Sequence, residues 1–277
     1  MSTFKITFAG GAQMPTGSNF LVEFGGKKIL IDCGLVQGEK YSVPINNAPF
    51  TYDPKSVDVL FITHAHLDHV GRIPRLVRDG FRGQIISTEP TREMAELIML
   101  DSMGILGKEA AHDGLPMLYE EKDVLESMHL WGTTLTYEKP FTIKTNDGDA
   151  VITLHDAGHI LGSSIVEIAY KGKKLAFTGD LGNTPSPLMR DTTPLKDIDY
   201  LVIESVYGDR NHKDKDKRIE IFKEAVVSTV AKGGTVLIPA FSIERTQEML
   251  LAFNELVESK QIPEIPVYLN SPLGINI

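Results

Sequence analysis

The sequence has a single cysteine, Cys33, so an intrachain disulfide framework is excluded. It has no uninterrupted apolar run of the roughly 18 residues that a membrane-spanning helix needs. The longest uncharged stretch, residues 6–22, is broken by Gly, Gln, Pro and Asn. No charged leader followed by an apolar segment opens the chain, so the expected location is cytoplasmic and not secreted. Low-complexity tracts are missing, which disfavours disorder, collagen and coiled coil. An excess of basic charge is missing too. With 28 Lys+Arg against 37 Asp+Glu the net charge is −9, which argues against a broadly basic surface but leaves a local positive groove open. Walker loops, dinucleotide fingerprints and serine nucleophile elbows are absent. What remains is a folded soluble protein of 277 residues, 42% hydrophobic, with room for one large domain or two modest ones.

Short β-branched or aromatic runs at 5–9, 19–24, 28–31 and 57–62 predict strands, with Gly25-Gly26 as a hairpin turn. Helical spacing then places Val70, Ile73, Leu76 and Val77 on one face, with Gly80 as the stop. A strand at 84–87, a helix at 91–99, a looser Gly-rich stretch and a helix at 120–129 follow. Strands return at 141–144, 150–154, 164–170 and 174–178, which together predict two sheets with helices outside. From Asp199 the order becomes strand 200–203, helix 217–231, strand 235–239, helix 243–258 and strand 267–269, the alternation of an open parallel sheet. A domain boundary is placed near Gly208, giving domains 1–207 and 208–277. The sequence stops after a strand without a closing helix, as though interrupted.

The sharpest chemical signal is Thr63-His64-Ala65-His66-Leu67-Asp68-His69, three histidines and an aspartate within six positions after an apolar strand. A solvated turn rarely concentrates imidazoles this way. Alternating His64 and His66 can present two rings to one ion, and the turn at Leu67 brings Asp68 and His69 toward a neighbouring position. Asp156-Ala157-Gly158-His159 and Gly179-Asp180 follow two later strands, where glycine lets the chain turn its side chains toward the first cluster. His159 alone would read as an ordinary loop histidine; with Asp180 and the cluster it reads as a ligand.

Through His64-Ala65-His66-Leu67-Asp68-His69, Gly158-His159 and Gly179-Asp180, in that order, residues 1 to about 205 resemble the metallo-β-lactamase-fold hydrolases. The resemblance implies a four-layer αββα sandwich in the α/β class. It implies His64, His66 and His159 on one zinc, Asp68 and His69 on a second, and Asp180 bridging them. Asp32 matches the family's early aspartate, which orients the metal loop without binding metal. Two zinc ions, with manganese as an alternative, would activate a bridging water for hydrolysis, with Asp68 and Asp180 as catalytic carboxylates.

Three blocks in the last third, residues 201–210, 239–248 and 266–273, look like the β-CASP branch, which processes nucleic acids, mostly RNA. There the resemblance implies the first part of an α/β clamp domain and a role for Glu204 in positioning a catalytic histidine; without the later blocks Glu204 would be an ordinary strand-end carboxylate. The branch places its later signature histidines beyond the last residue here, so the chain reads as C-terminally truncated. His212 is a rival ligand for the second zinc, although its charged setting favours a loop or substrate-contact role. Arg72, Arg75 and Arg78, and Lys213, Lys215, Lys217 and Arg218, would suit phosphate contacts but singly read as solvated surface. His112, His129 and His155 are left as structural or exposed, and Met94, Met99 and Met103 as core.

The expected function is therefore a dinuclear zinc phosphodiesterase that cleaves single-stranded RNA through a metal-bound hydroxide, possible as a homodimer. A small-molecule hydrolase of the same fold, such as a β-lactamase or glyoxalase II-like thioesterase, and a non-catalytic truncated form are the alternatives.

Overall fold

The computed structural model describes residues 3–38, 42–211 and 217–277. The chain forms two compact units, Met1–Glu204 and Ser205–Ile277. In the first unit, β1 (Lys5–Gly10), β2 (Asn19–Phe24), β3 (Lys27–Ile31), β4 (Val59–Phe61), β5 (Gln84–Ser87) and β6 (Thr133–Thr134) make one sheet in sequence order. Its first pairs are antiparallel, joined between β2 and β3 by Gly25-Gly26, and from β3 to β6 the pairs are parallel. The second sheet runs in the order β11 (Tyr200–Val202), β10 (Lys173–Phe177), β9 (Ser164–Tyr170), β8 (Gly148–Asp156), β7 (Phe141–Thr145), antiparallel except for β10 with β11.

Alternation along the strands decides how the sheets meet. Val22, Phe24, Ile29, Ile31 and Phe61 of the first sheet share one buried cluster with Ile152, Leu154, Val166, Ile168 and Phe177 of the second. Each such side chain contributes about 1.5–3 kcal/mol when withdrawn from water, so the face-to-face stack is the main source of stability. The helices of this unit are α1 (Ser42–Asn47), α2 (Leu67–Val70), α3 (Ile73–Arg78), α4 (Glu89–His112) and α5 (Glu121–Leu130). Among them α5 packs on α3, α4 and β5, on the outer side of the first sheet. Within this unit the outer side of the second sheet is covered by Leu181, Leu195 and Ile198, which pack on Ala157, Ile165 and Ala176.

One expectation for this unit needs correction. The helix expected at 91–99 continues to His112 and absorbs much of the Gly-rich stretch. Gly104 and Gly107 each cost such a helix about 1 kcal/mol. Burial of Met94, Ala95, Ile98, Met99, Ser102 and Ala110 outweighs that loss.

The second unit contains α6 (Arg218–Val230), α7 (Arg245–Glu258) and α8 (Pro272–Asn276), with Val226, Leu256 and Ile262 at its core. The strands expected at 235–239 and 267–269 do not form, and α8 follows where a bare strand end was expected. A strand exists only as part of a hydrogen-bonded ladder. Among the described residues these segments have no pairing partner, and Leu237 and Tyr268 are 92% and 87% exposed. Among the described residues, no helix is long and apolar enough to cross a membrane.

Strand direction gathers the chemistry at one edge. Parallel register pairs Ile31 with Phe61, so the segments leaving β3 and β4, which carry Asp32 and His64, emerge side by side. In the second sheet the ends of β8, β10 and β11 and the start of β9 share one edge, the source of His159, Asp180 and Glu204.

The segment after β3 then holds the histidine loop by its backbone: Cys33 N–H donates to the His69 carbonyl at 2.8 Å and Leu35 N–H to the Leu67 carbonyl at 3.1 Å. Gly34 lies between them, and a Cβ there would sit 1.5 Å from the Asp68 carbonyl oxygen. Gly34→Ala is expected to push Asp68 and His69 out of register. The measurable result is a loss of about 1–3 kcal/mol in unfolding free energy with weakened metal retention. Unchanged metal content and melting would show that the loop tolerates the shift.

Candidate metal centre

Asp32 organises the site from beneath. It is fully buried, with a positive φ of 60°. Its carboxylate accepts from Thr63 N–H at 2.8 Å, from the Thr63 hydroxyl at 2.9 and 3.1 Å, and from the Ser18 hydroxyl at 3.1 Å. It also faces His69 Nδ1 at 2.7 Å. Once neutral, with its remaining proton on Nδ1, His69 would turn Nε2 toward the cavity as a lone pair, the usual way a carboxylate sets a ligand histidine.

Two groups of donor atoms converge above it, each drawn together within 4.8 Å: His64, His66, His159 and Asp180, and Asp68, His69 and Asp180. In the first, His66 Nδ1 lies 3.1 Å from both His64 Nε2 and His159 Nε2, and Asp180 Oδ2 lies 3.9 Å and 3.7 Å from the same two Nε2 atoms. Four donors arranged tetrahedrally about an ion at zinc–nitrogen distance would be about 3.3 Å apart, so these separations bracket the required edge. In the second group His69 Nε2 lies 3.3 Å from Asp180 Oδ1 and 3.8 Å from Asp68 Oδ2. Asp180 thus offers one oxygen to each group. The donor sets, imidazole and carboxylate with no thiolate, fit a divalent metal cofactor.

Backbone hydrogen bonds fix the flanking loops. Asp156 accepts from Gly158 N–H at 2.9 Å, and Ser163 Oγ accepts from His159 and Ile160 N–H at 3.0 and 3.2 Å, which locks the turn carrying His159. Gly179 has φ +55°, and a Cβ there would lie 2.7 Å from Thr63, so Asp180 can follow β10 only after a glycine. Glu204 receives Leu181 N–H at 3.4 Å, beside Asp180, and its own N–H donates to the Thr178 hydroxyl at 3.2 Å. Glu204 therefore lies against the Asp180 loop.

Charge at the site is arranged unevenly. Burial, with the neighbouring His69, His66 and His159, holds His64 well below the ordinary histidine range. Burial, then the His159 and His69 charges, lowers His66 to about 3. Burial also opposes protonation of His69, but the carboxylates of Asp32, Asp180 and Asp68 outweigh it and raise this group well above the ordinary range. Burial raises Asp68. Burial would raise Asp180 as well, but its hydrogen bond to His69 prevails and lowers it. Neutral His64 and His66 are ready ligands, whereas His69 must shed a proton before it can ligate.

A pH dependence follows for the metal-free protein. Below the ordinary value of 6.5 an unfolded chain protonates His64 and His66 while the native state resists, so these two residues cost stability as pH falls toward about 3. His69 acts in the opposite sense: its contribution is full below 6.5 and is lost as pH rises through its raised value. Melting of the metal-free His66→Ala variant is expected to depend less steeply on acidification than that of the parent. An equal slope in both would show that His66 is not held neutral.

Other candidate residues fall elsewhere. Arg72 is engaged by the Ala48 carbonyl at 2.9 Å and lies over the Phe50 ring, Arg75 pairs with Asp79 at 2.7 Å, and Arg78 reaches the Met117 carbonyl at 3.2 Å and Asp123 at 4.0 Å. These internal engagements leave them poorly placed for the phosphate contacts considered from sequence. His155 pairs with Glu138 at 2.9 Å, His112 pairs with Asp113 at 2.8 Å, and His129 is exposed. Met94 and Met99 are core residues. His212, Lys213 and Lys215 lie outside the described residues. Sequence reasoning assigned no role to Thr63, Ser18 or Ser163. Thr63 stood inside the histidine run, but the two serines carry no signal without their partners.

Residues 15–231 match the family model for the metallo-beta-lactamase superfamily. The chain is 35% identical over 271 residues to a Thermus thermophilus protein named ribonuclease TTHA0252, covering 98% of this chain and 59% of that one. It is 32% identical to the transcription termination factor FttA of Methanosarcina mazei, covering 96% and 41% of the two chains. It is 30% identical to cleavage and polyadenylation specificity factor subunit 3 of Dictyostelium discoideum, covering 98% and 34%. The chain thus spans between a third and three fifths of the length of these relatives.

Proposed function

The chain belongs to the metallo-beta-lactamase superfamily, and from that premise we propose that it is a metal-dependent phosphodiesterase that cleaves RNA, of the β-CASP kind. The observation that carries this reading is the pair of donor groups joined through Asp180, combined with relatives whose names refer to a ribonuclease, transcription termination, and cleavage and polyadenylation. His64, His66, His159 and Asp180 would hold one ion; Asp68, His69 and Asp180 would hold a second. Zinc suits these donors best, with manganese next. Two such ions would supply Lewis acidity toward a phosphate oxygen and an acidified water at neutral pH.

The protein's own groups do the rest. Asp32 orients His69, and Thr63 ties that orientation to the loop carrying His64 and His66. Asp68 would accept a hydrogen bond from the attacking water, and Glu204, which receives Leu181 N–H, would steady the Asp180 loop as a positioning residue. In this reading residues 208–277 are the beginning of a second domain that helps to hold the RNA.

Side-by-side turnover on single-stranded RNA, bis(4-nitrophenyl) phosphate and a chromogenic β-lactam, with and without added zinc, tests the proposal. Metal-dependent cleavage of both phosphodiesters and an intact β-lactam is the expected result. Opening of the β-lactam with no phosphodiester cleavage would overturn it.

A further inference from the structure

A cavity of about 360 Å³ is lined in part by Asp156, Ile160, Leu161 and Gly162, from the turn that carries His159. Its size falls within the range of small-ligand pockets. Its walls are tied in place: Thr88 and Thr91 hydroxyls donate to the Gly162 carbonyl at 2.6 and 2.9 Å, and the Tyr137 hydroxyl donates to the Ser163 carbonyl at 2.8 Å. The lining combines Tyr137, Ile160 and Met189 with Leu161 and Leu188, which are 57% and 40% exposed. Apolar side chains left this exposed around a cavity favour a flat apolar occupant. Glu89 and Asp156 also line it. Arg190 contributes a guanidinium that makes no hydrogen bond or ion pair among the described residues.

We propose that this cavity is a subsite for one nucleobase of the RNA next to the cleaved phosphate, with a preference for bases that carry an exocyclic amino group. The proposal rests on the RNA-cleaving reading above. The base would lie against Leu161, Leu188 and Met189. Its amino group would donate to Glu89 or Asp156, where uracil has no exocyclic amino group to offer and only its ring N3–H as a donor. Arg190 would meet the adjoining phosphate. Ile160, in the cavity wall, directly follows His159 in the chain, so the cavity adjoins the turn that supplies one of the metal-centre donors.

The test is equilibrium binding to the metal-loaded protein of three short oligomers with phosphorothioate linkages that resist cleavage: oligoadenylate, oligouridylate and an abasic oligomer of equal length. Oligoadenylate is expected to bind about fivefold or more tighter than the abasic oligomer, with oligouridylate between them. The exposed positions allow a double variant, Leu161→Ala/Leu188→Ala, that keeps the fold; circular dichroism and metal content serve as checks. In that variant the advantage of oligoadenylate should disappear, whereas Leu125→Ala, on the exposed side of α5, should leave it intact. Equal binding of oligoadenylate and abasic oligomer by the parent, or an undiminished difference in the double variant, would overturn the subsite while leaving the RNA reading in place. Failure of all three oligomers to bind would instead overturn the RNA reading and the subsite with it.

Discussion

Asp180→Asn is expected to remove hydrolysis almost completely, by about three orders of magnitude or more, the scale seen when a group acting at the reacting centre is lost. The physical argument is one of counting. Asp180 Oδ1 is 3.3 Å from His69 Nε2, whereas Oδ2 is 3.7 Å from His159 Nε2 and 3.9 Å from His64 Nε2. A carboxylate can serve both groups at once; an amide keeps one acceptor oxygen and turns an N–H₂ toward the other group. At least one ion should then bind weakly. The side chain is 31% exposed and fills no core space, so melting should change little. His66→Ala should act similarly at the first group, since His66 Nδ1 is the atom both other histidines face at 3.1 Å. Metal content by elemental analysis, together with turnover on bis(4-nitrophenyl) phosphate, checks both. Retention of more than about a tenth of the parent activity by Asp180→Asn would show that bridging by this carboxylate is dispensable.

The second large effect is expected at a residue that touches no metal donor cavity directly. Asp32→Ala leaves Thr63 N–H, two hydroxyls and His69 Nδ1 facing an empty buried position, and should cost about 3–5 kcal/mol of stability. For a unit of this size that lowers Tm by about 10 °C. Asp32→Asn preserves shape but alters the tautomer. Its oxygen can still accept from Thr63 N–H, while its N–H₂ donates to His69 Nδ1 and forces the His69 proton onto Nε2, the atom that should ligate. The Asn variant should therefore fold well yet hold metal at the Asp68, His69 and Asp180 group about 10–100-fold more weakly. If Asp32→Asn bound metal as tightly as the parent, the tautomer argument would fail.

The histidine run was legible because ligation demands specific atoms at short spacing, and few other pressures place three imidazoles and a carboxylate within six residues. His159 and Asp180 were legible only in combination with it, each standing after a glycine at a strand end. Strand and helix positions in the first unit followed from local periodicity, with β2, β5 and β9 found over the same residues as expected. Long-range competition set the limits. The helix expected to end at residue 99 runs to His112 because burial along α4 outweighs two glycines, and the segments at 235–239 and 267–269 stay unpaired because pairing depends on a neighbour that composition does not reveal.

By itself, then, the sequence determined the type of chemistry: which donor atoms are present, in what order, and the strand ends from which they emerge. Tertiary structure alone decided how those donors divide. Parallel pairing of β3 with β4 brings Asp32 beneath His69, and the shared edge of β8, β10 and β11 brings His159, Asp180 and Glu204 to one place. The division of Asp180 between two groups, the hydrogen bond that sets the His69 tautomer and the cavity beside the His159 turn all depend on contacts between residues far apart in the chain. Such contacts arise from the sum of core packing across both sheets, and no local stretch of sequence contains that sum.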